Sequence, residues 1–551
     1  MRASRLISVL LFFLAATSAL FWNLHRVPLF DPDEGRYADI ALTMVKTGDW
    51  VTPRMNYIKH LHKPPLSSWL VAVSFKLLGP SEFSARLPNV LLSLVLLGGM
   101  ILLGKFLFDF RTGLYGAWIL LTSVLYFAAS RIVTPDLLLT FLIFASMSCL
   151  ACLFFDTRFR LLWFYVTALS LGLGMLTKGP VIWMIVLLPA VVFSVWKKRR
   201  IHIPWKHWVL AGIPSLAISL SWYVLIANQN AGGLGYFLHS QLLGRILKGT
   251  SGHAYPFYYY LIVMPMGFFP WTLLMPSAIA WNLKKKNHSP GTMDRIHFLF
   301  LWFLIPFVLF SLFRTKLATY IVPLYPPLVL LGAHFWKEFD LKKVKITRPL
   351  LAGGWMVALS FGLFLIAGLI FIRVHPEFVG GIPAASLVAG GVVLFVSTLL
   401  LVVLLLQKKW DWLFRFVAGG FFVVTIMTLG ELPLIRFKNT KDFADKVREL
   451  RRPGDIVLMF DHYFPSLPFY LDERVLTVGV EDLEHTFESP ESVKEYVIFG
   501  EGGLTPLTEG PKRILALTDE EGYSKARALT SFPLYPMLKQ QKMILFSNRP
   551  E

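Results

Sequence analysis

The chain has 551 residues, of which 55% are hydrophobic, 15% aromatic and only 16% charged, with a mean hydropathy of +0.58. Soluble proteins carry about 25% charged residues, so this composition excludes an ordinary soluble multidomain enzyme, a disordered chain and, with two cysteines, a disulfide scaffold. A formal net charge of +20 points to nucleic acid only when it covers a soluble surface, so it has to be weighed against the membrane first.

Crossing about 30 Å of hydrocarbon takes roughly 20 apolar residues in a helix. Runs near residues 5–24, 84–108, 112–129, 136–155, 160–176, 179–196, 207–226, 257–282, 294–312, 319–336, 349–372, 383–406 and 412–431 predict thirteen spans. The Leu66–Leu78 run is shorter, is interrupted by Ser67, Ser68 and Lys76, and reads as a helix lying at the interface. Thr17, Ser18 and Ala19 loosely resemble a signal-peptide cleavage site, the competing reading of the first run. Cys149 and Cys152 fall inside the fourth run, where their spacing places two small side chains on adjoining helix faces, a packing pattern.

Lys and Arg concentrate in short cytoplasmic loops. With Arg2 and Arg5 inside, the loops holding Lys197 to Arg200, Lys284 to Lys286, Lys342 to Arg348, and Lys408 with Lys409 all fall on the cytoplasmic side. The basic balance is then topogenic, and no nucleic-acid partner is expected. An odd number of spans delivers the tail to the outside. There, apolar runs at Ile456 to Phe460, Val475 to Val478, Ile514 to Leu517 and Met543 to Phe546 alternate with helical stretches such as Lys441–Leu450. Residues 1–432 are therefore read as a transmembrane domain and 433–551 as a small water-soluble α/β domain, with 500–512 a loop.

The outer loops mix acids, bases, Tyr and Pro. The first, 25–83, brings Asp31, Asp33 and Glu34, then Arg36 and Tyr37, just beyond the first span. On the helix that follows, Tyr37, Ile40, Ala41 and Met44 make an apolar stripe suited to lying on the membrane. Asp136 opens the fourth span, where a carboxylate normally faces a wet cavity or a cationic partner. Lys178 occupies a tight turn, and Lys316, Thr319 and Tyr320 a similar one. The loop 227–256 adds His239, Gln241, Arg245, Lys248 and His253 ahead of a run of tyrosines. Taken singly, these residues also read as surface charges, snorkelling lysines, caps or an interfacial aromatic belt. Together, Lys63, Lys178, Arg245 and Lys316 make a candidate phosphate site, and Asp33, Glu34 and Asp136 candidates for a base or a cation-binding group. These six outer charges, Asp33, Lys63, Asp136, Lys178, Arg245 and Lys316, are expected in one cavity at the outer leaflet. A carboxylate beside a phosphate clamp suits sugar transfer from a polyprenyl phosphate. The basic groups stabilise the leaving phosphate, and the carboxylate orients or deprotonates an acceptor.

The segments DPDEGRYADI, TGDWVTP, HKPPLSSW, VTPD, MLTKG, HSQLLGRIL, GHAYPFYYY, FFPW and KLATYIVP, in this order over about residues 1–330, resemble the large-loop membrane glycosyltransferases that use lipid-linked donors. Within that GT-C class the chain is most similar to the bacterial aminoarabinose transferases that modify lipid A. The resemblance implies a mainly α polytopic membrane protein of about thirteen helices, with interfacial helices in the first outer loop and a C-terminal periplasmic α/β domain. It implies that Asp33 is the central acid, supported by Glu34, Arg36 and Tyr37, and that Asp136 is the second acid. Lys63 and Arg245 would grip the lipid phosphate, while Lys178, Lys316 and Tyr320 would line the cavity. The family's residue before the lysine at the position of Lys63 is usually a Glu associated with zinc; here it is His62, which with His253 makes a candidate zinc pair.

The expected activity is a glycosyltransferase moving a sugar, 4-amino-4-deoxy-L-arabinose or one like it, from undecaprenyl phosphate to lipid A or another outer-face acceptor. The protein would work as a monomer in the bacterial inner membrane with its site on the periplasmic side. A lipid-linked sugar transporter or flippase, a protein O-mannosyltransferase-like enzyme and a non-catalytic envelope scaffold are the alternatives. Charges kept at the outer mouths, without half-repeats, argue against the transporter.

Overall fold

Long apolar helices dominate the computed structural model, which describes residues 2–156, 158–239, 254–374, 382–431, 439–480, 493–540 and 542–550. Among them, ten helices are long and apolar enough to cross a membrane: Ala3–Phe21, Glu82–Leu107, Pro135–Phe155, Arg160–Lys178, Trp205–Gln229, Pro290–Leu312, Ala318–Asp340, Arg348–Val374, Ala384–Leu406 and Trp410–Gly430. These match ten of the thirteen expected runs. The other three are shorter, bent or broken. Val181–Trp196 has 16 residues, about 24 Å at 1.5 Å per residue. The 112–129 run is a bent pair, Phe110–Leu121 and Val124–Arg131, turned by 70° and counted as an eleventh span if the pair crosses as one. The 257–282 run is broken into Tyr259–Gly267, a 3-10 turn at Trp271–Leu273, and Met275–Asn282.

The bend and the break each have a local cause. Thr122 and Ser123 turn their hydroxyls back onto the carbonyls of Trp118 and Ile119, at 2.6 and 2.7 Å, which competes with regular helix. Pro270 has no N–H to continue its helix. The two irregular points then satisfy each other: Trp271 Nε1 donates to the Thr122 hydroxyl at 3.0 Å, and the Val124 N–H donates to the Phe269 carbonyl at 3.3 Å.

The chain divides into two compact units. The first comprises Met1–Leu24, Arg86–Val224 and Leu238–Ile435 and is helical. Its helices approach closely where side chains are small: a Cβ on Gly104 would stand 2.4 Å from the Gly113 Cα. Its outer surface is apolar; on Ala384–Leu406, Val388, Val392, Phe395 and Leu399 are all exposed, the pattern of a helix facing hydrocarbon. The protein is a multi-pass membrane protein.

The second unit comprises His25–Ala85, Leu225–Phe237 and Arg436–Glu551, so it draws part of the first loop and the tail into one body. The expected boundary at 432/433 lies outside the described residues. A hairpin joins β1 (Arg54–Met55) to β2 (Ile58–Lys59) through Asn56 and Tyr57, both at positive φ (50° and 67°), as a twist-matched two-residue turn requires. The tail forms a six-stranded sheet of β3 (Ile456–Phe460), β4 (Leu476–Val478), β5 (Val497–Ile498), β6 (Ile514–Asp519), β7 (Tyr535–Gln540) and β8 (Met543–Ser547), in the order β5-β4-β3-β6-β8-β7. β3 to β6 run parallel, while β8 is antiparallel to both β6 and β7. Four of these strands and the Lys441–Leu450 helix fall on the runs read from the sequence. The expected loop at 500–512 contains a short helix, Leu504–Glu509, whose Leu504 fills the sheet's core beside Leu458, Phe460 and Ile514.

Candidate functional site

In the second unit the helix Asp33–Thr47 carries the first acidic cluster. Asp31 Oδ1 accepts the Ser466 N–H at 2.9 Å, and its Oδ2 accepts the Ser466 hydroxyl. Gly35 allows this approach, since a Cβ there would lie 2.4 Å from Asp31 Oδ1 and 2.5 Å from Ser466 N. Glu34 is buried and accepts the Phe30 N–H at 3.1 Å. Asp33 is the exposed carboxylate of the three, at the first position of the helix, with Arg36 and Tyr37 half-buried after it. The stripe expected to lie on the membrane is instead taken up within the protein. Ile40, Ala41 and Met44 are at most 3% exposed, because Leu66–Leu78 and Ser466–Leu471 pack on this helix.

Asp39, on the same helix, is wholly buried. It accepts the Asn56 N–H at 2.5 Å, and burial, only partly offset by that bond and by Lys46, pushes its carboxyl up to about 7. Asn56 in turn exchanges two hydrogen bonds with the Val475 backbone, at 2.7 and 2.9 Å.

His62 is buried against His60, the ring centroids 3.9 Å apart, and its Nε2 lies 3.2 Å from the Tyr236 hydroxyl. Asn230 donates to the Thr52 hydroxyl at 3.1 Å, which ties the start of the loop 227–256 to the first loop. Lys63, next to His62 in sequence, is half-buried. His253 and Arg245 lie outside the described residues. Among those described, no group of three His, Cys, Asp or Glu side chains is arranged to hold a metal ion. The expected zinc pair of His62 and His253 therefore lies partly outside the described residues, and His60 is the described imidazole beside His62.

The first unit holds the second cluster. Asp136, in the first turn of Pro135–Phe155, is 5% exposed. Its Oδ1 accepts from the Lys178 ammonium and its Oδ2 from the Thr319 hydroxyl. The same ammonium lies 3.4 Å from the centroid of the Tyr320 ring, an ion pair and a cation–π contact sharing one charge. Lys316 is 1% exposed and donates to the carbonyls of Tyr255, at 2.9 Å, and Phe313. Burial holds its ammonium below the usual lysine range. The structure thus brings together Asp136, Lys178 and Tyr320 in one unit, and places Asp33, Glu34, Arg36, Tyr37, His62 and Lys63 in the other.

Sequence reasoning did not single out Asp39, Asn56 or Ser466. The one signal was Asp39 itself, a carboxylate between Ala38 and Ile40 in an otherwise apolar helix segment.

Residues 62–223 match the family model described as dolichyl-phosphate-mannose-protein mannosyltransferase. The undecaprenyl phosphate-alpha-4-amino-4-deoxy-L-arabinose arabinosyl transferase of Pectobacterium carotovorum subsp. carotovorum (strain PC1) is 30% identical over 458 residues, 80% of each chain. The transferase 2 of Proteus mirabilis (strain HI4320) is 29% identical over 355 residues; the match spans 63% of this chain and 63% of that relative's length. Among solved structures, ArnT from Cupriavidus metallidurans bound to undecaprenyl phosphate shares the fold, with a TM-score of 0.80 over 98% of both chains at 23% identity. The motif order that suggested aminoarabinose transferases thus extends, as identity, over four fifths of the chain, and the protein belongs to the family of undecaprenyl phosphate-alpha-4-amino-4-deoxy-L-arabinose arabinosyl transferases.

Proposed function

We propose that this protein transfers 4-amino-4-deoxy-L-arabinose from undecaprenyl phosphate to lipid A at the periplasmic face of the inner membrane. The observation that carries this reading is the match to the Pectobacterium transferase over 80% of both chains. The site chemistry is compatible with it. Asp33 is the acid of its cluster that is exposed rather than spent on the backbone, as a group that must meet substrate requires.

In the reaction an acceptor oxygen attacks the anomeric carbon while the bond from that carbon to the undecaprenyl phosphate oxygen breaks. Undecaprenyl phosphate leaves with the bonding electrons. Asp33 orients the acceptor and, where that acceptor is a hydroxyl, takes its proton. Lys63 and Arg245 hold the phosphate, whose negative charge grows as the sugar departs.

Mass spectrometry of lipid A from cells with and without this chain tests the reading. An added aminoarabinose that requires the chain, and is lost in Asp33→Asn at equal expression, is the expected result. Unchanged lipid A alongside a change in another glycan would overturn the acceptor and donor assignment.

A further inference from the structure

We infer that Thr319 is a positioning residue for phosphate recognition by Lys178, an inference that rests on the transferase reading above. Both oxygens of the buried Asp136 carboxylate are engaged, one by the Lys178 ammonium and the other by the Thr319 hydroxyl. A carboxylate so occupied is poorly placed to take a proton from an acceptor. It is well placed to hold a cation in one orientation.

Thr319 and Tyr320 are consecutive on the 3-10 segment Ala318–Leu324. Thr319 secures the carboxylate that binds Lys178, while Tyr320 offers its ring to the same ammonium at 3.4 Å. The segment is itself braced. The Tyr260 hydroxyl donates to the Leu317 carbonyl at 3.0 Å, and the Tyr255 N–H donates to the Arg314 carbonyl at 3.2 Å. Lys316 closes the brace through the carbonyls of Tyr255 and Phe313. An ammonium has three N–H bonds and no acceptor. With one given to Asp136 and one side covered by the ring, Lys178 keeps an N–H for an anionic oxygen. In this reaction that oxygen belongs to a phosphate, on either the prenyl donor or a phosphorylated acceptor.

The test uses the full chain, purified in lipid nanodiscs, with Thr319→Val, Thr319→Ser, Lys178→Ala and the Val/Ala double variant. It reads undecaprenyl phosphate affinity, donor KM, acceptor KM and kcat. Loss of one hydrogen bond to a charged group predicts that Thr319→Val raises one KM about tenfold while kcat changes less, and that Thr319→Ser stays within about twofold of the parent. A shift in undecaprenyl phosphate affinity together with donor KM assigns the phosphate to the donor; a shift in acceptor KM alone assigns it to the acceptor. Because Thr319 acts through Lys178, adding Thr319→Val to Lys178→Ala should cost nothing more. Thr319→Ala, expected to show the same loss, replaces the valine variant if that one is unstable to heat. Losses that multiply in the double variant, or affinity and both KM values that do not move, would overturn the inference. Failure of the unsubstituted protein to bind undecaprenyl phosphate or transfer sugar would instead overturn the transferase reading, and this inference with it.

Discussion

Asp31, Asp33 and Glu34 carry the same functional group within four residues, yet they do different work. Asp31 holds Ser466 and Glu34 holds the Phe30 N–H, which leaves Asp33 facing outward. Spacing cannot make that distinction, because it depends on which backbone N–H groups the fold delivers to each carboxylate. Asp39 is a fourth case, with a stability consequence. Its carboxyl is raised from 3.8 to about 7, chiefly by burial, so between those values the unfolded chain gives up a proton that the folded chain keeps. Stability therefore falls as pH rises from about 4 to 7, by about 4 kcal/mol at roughly 1.4 kcal/mol per unit, and is flat in this contribution outside that window. Asp39→Asn keeps an acceptor for the Asn56 N–H and should flatten this part of the profile. Thermal denaturation at pH 5 and pH 8 checks it: the parent should lose more stability between the two than the variant does. An equal loss in both would show that Asp39 does not set the dependence.

At the scale of elements, the β1–β2 hairpin is a small structure with a large share of the second unit's connectivity. Asn56 accepts positive φ more readily than most residues, and its side chain then pairs with the Val475 backbone while its own N–H reaches Asp39. Asn56→Ala forfeits both side-chain bonds, orphans two buried backbone groups and pays for a left-handed alanine. A loss of about 2–4 kcal/mol is expected. Asn56→Gly should recover only the backbone part, roughly 1 kcal/mol. Limited proteolysis of the purified protein, read for cleavage within residues 25–85, ranks the two. Elsewhere the Trp271 indole ties the broken 257–282 run to the bend at Thr122. Trp271→Phe leaves the Thr122 hydroxyl without that donor and should lower heat stability by about 1 kcal/mol.

At the scale of the whole molecule, the placement of Lys and Arg argues that the loops holding Lys284 to Lys286 and Lys342 to Arg348 face the cytoplasm. Cysteines introduced at Lys285 and Lys343 should therefore resist a membrane-impermeant thiol reagent in intact cells with a permeabilised outer membrane, whereas one at Lys525 should react. Labelling of Lys285→Cys would reverse the orientation. Cys149 and Cys152 lie in a packed helix and contribute little background. The sequence by itself determined the membrane class, the ten long apolar helices found among the described residues, the Leu66–Leu78 helix, the tail's main strands and the family, because hydrophobic run length, periodicity and motif order are local properties of the chain. Tertiary structure alone decided that 25–85 shares a unit with 436–551, that the Ile40 and Met44 stripe is buried by protein, and that Thr319 meets Asp136 across 183 positions. These are pairings between distant segments. A carboxylate or an apolar stripe states what kind of partner it needs, and only the folded chain supplies which one.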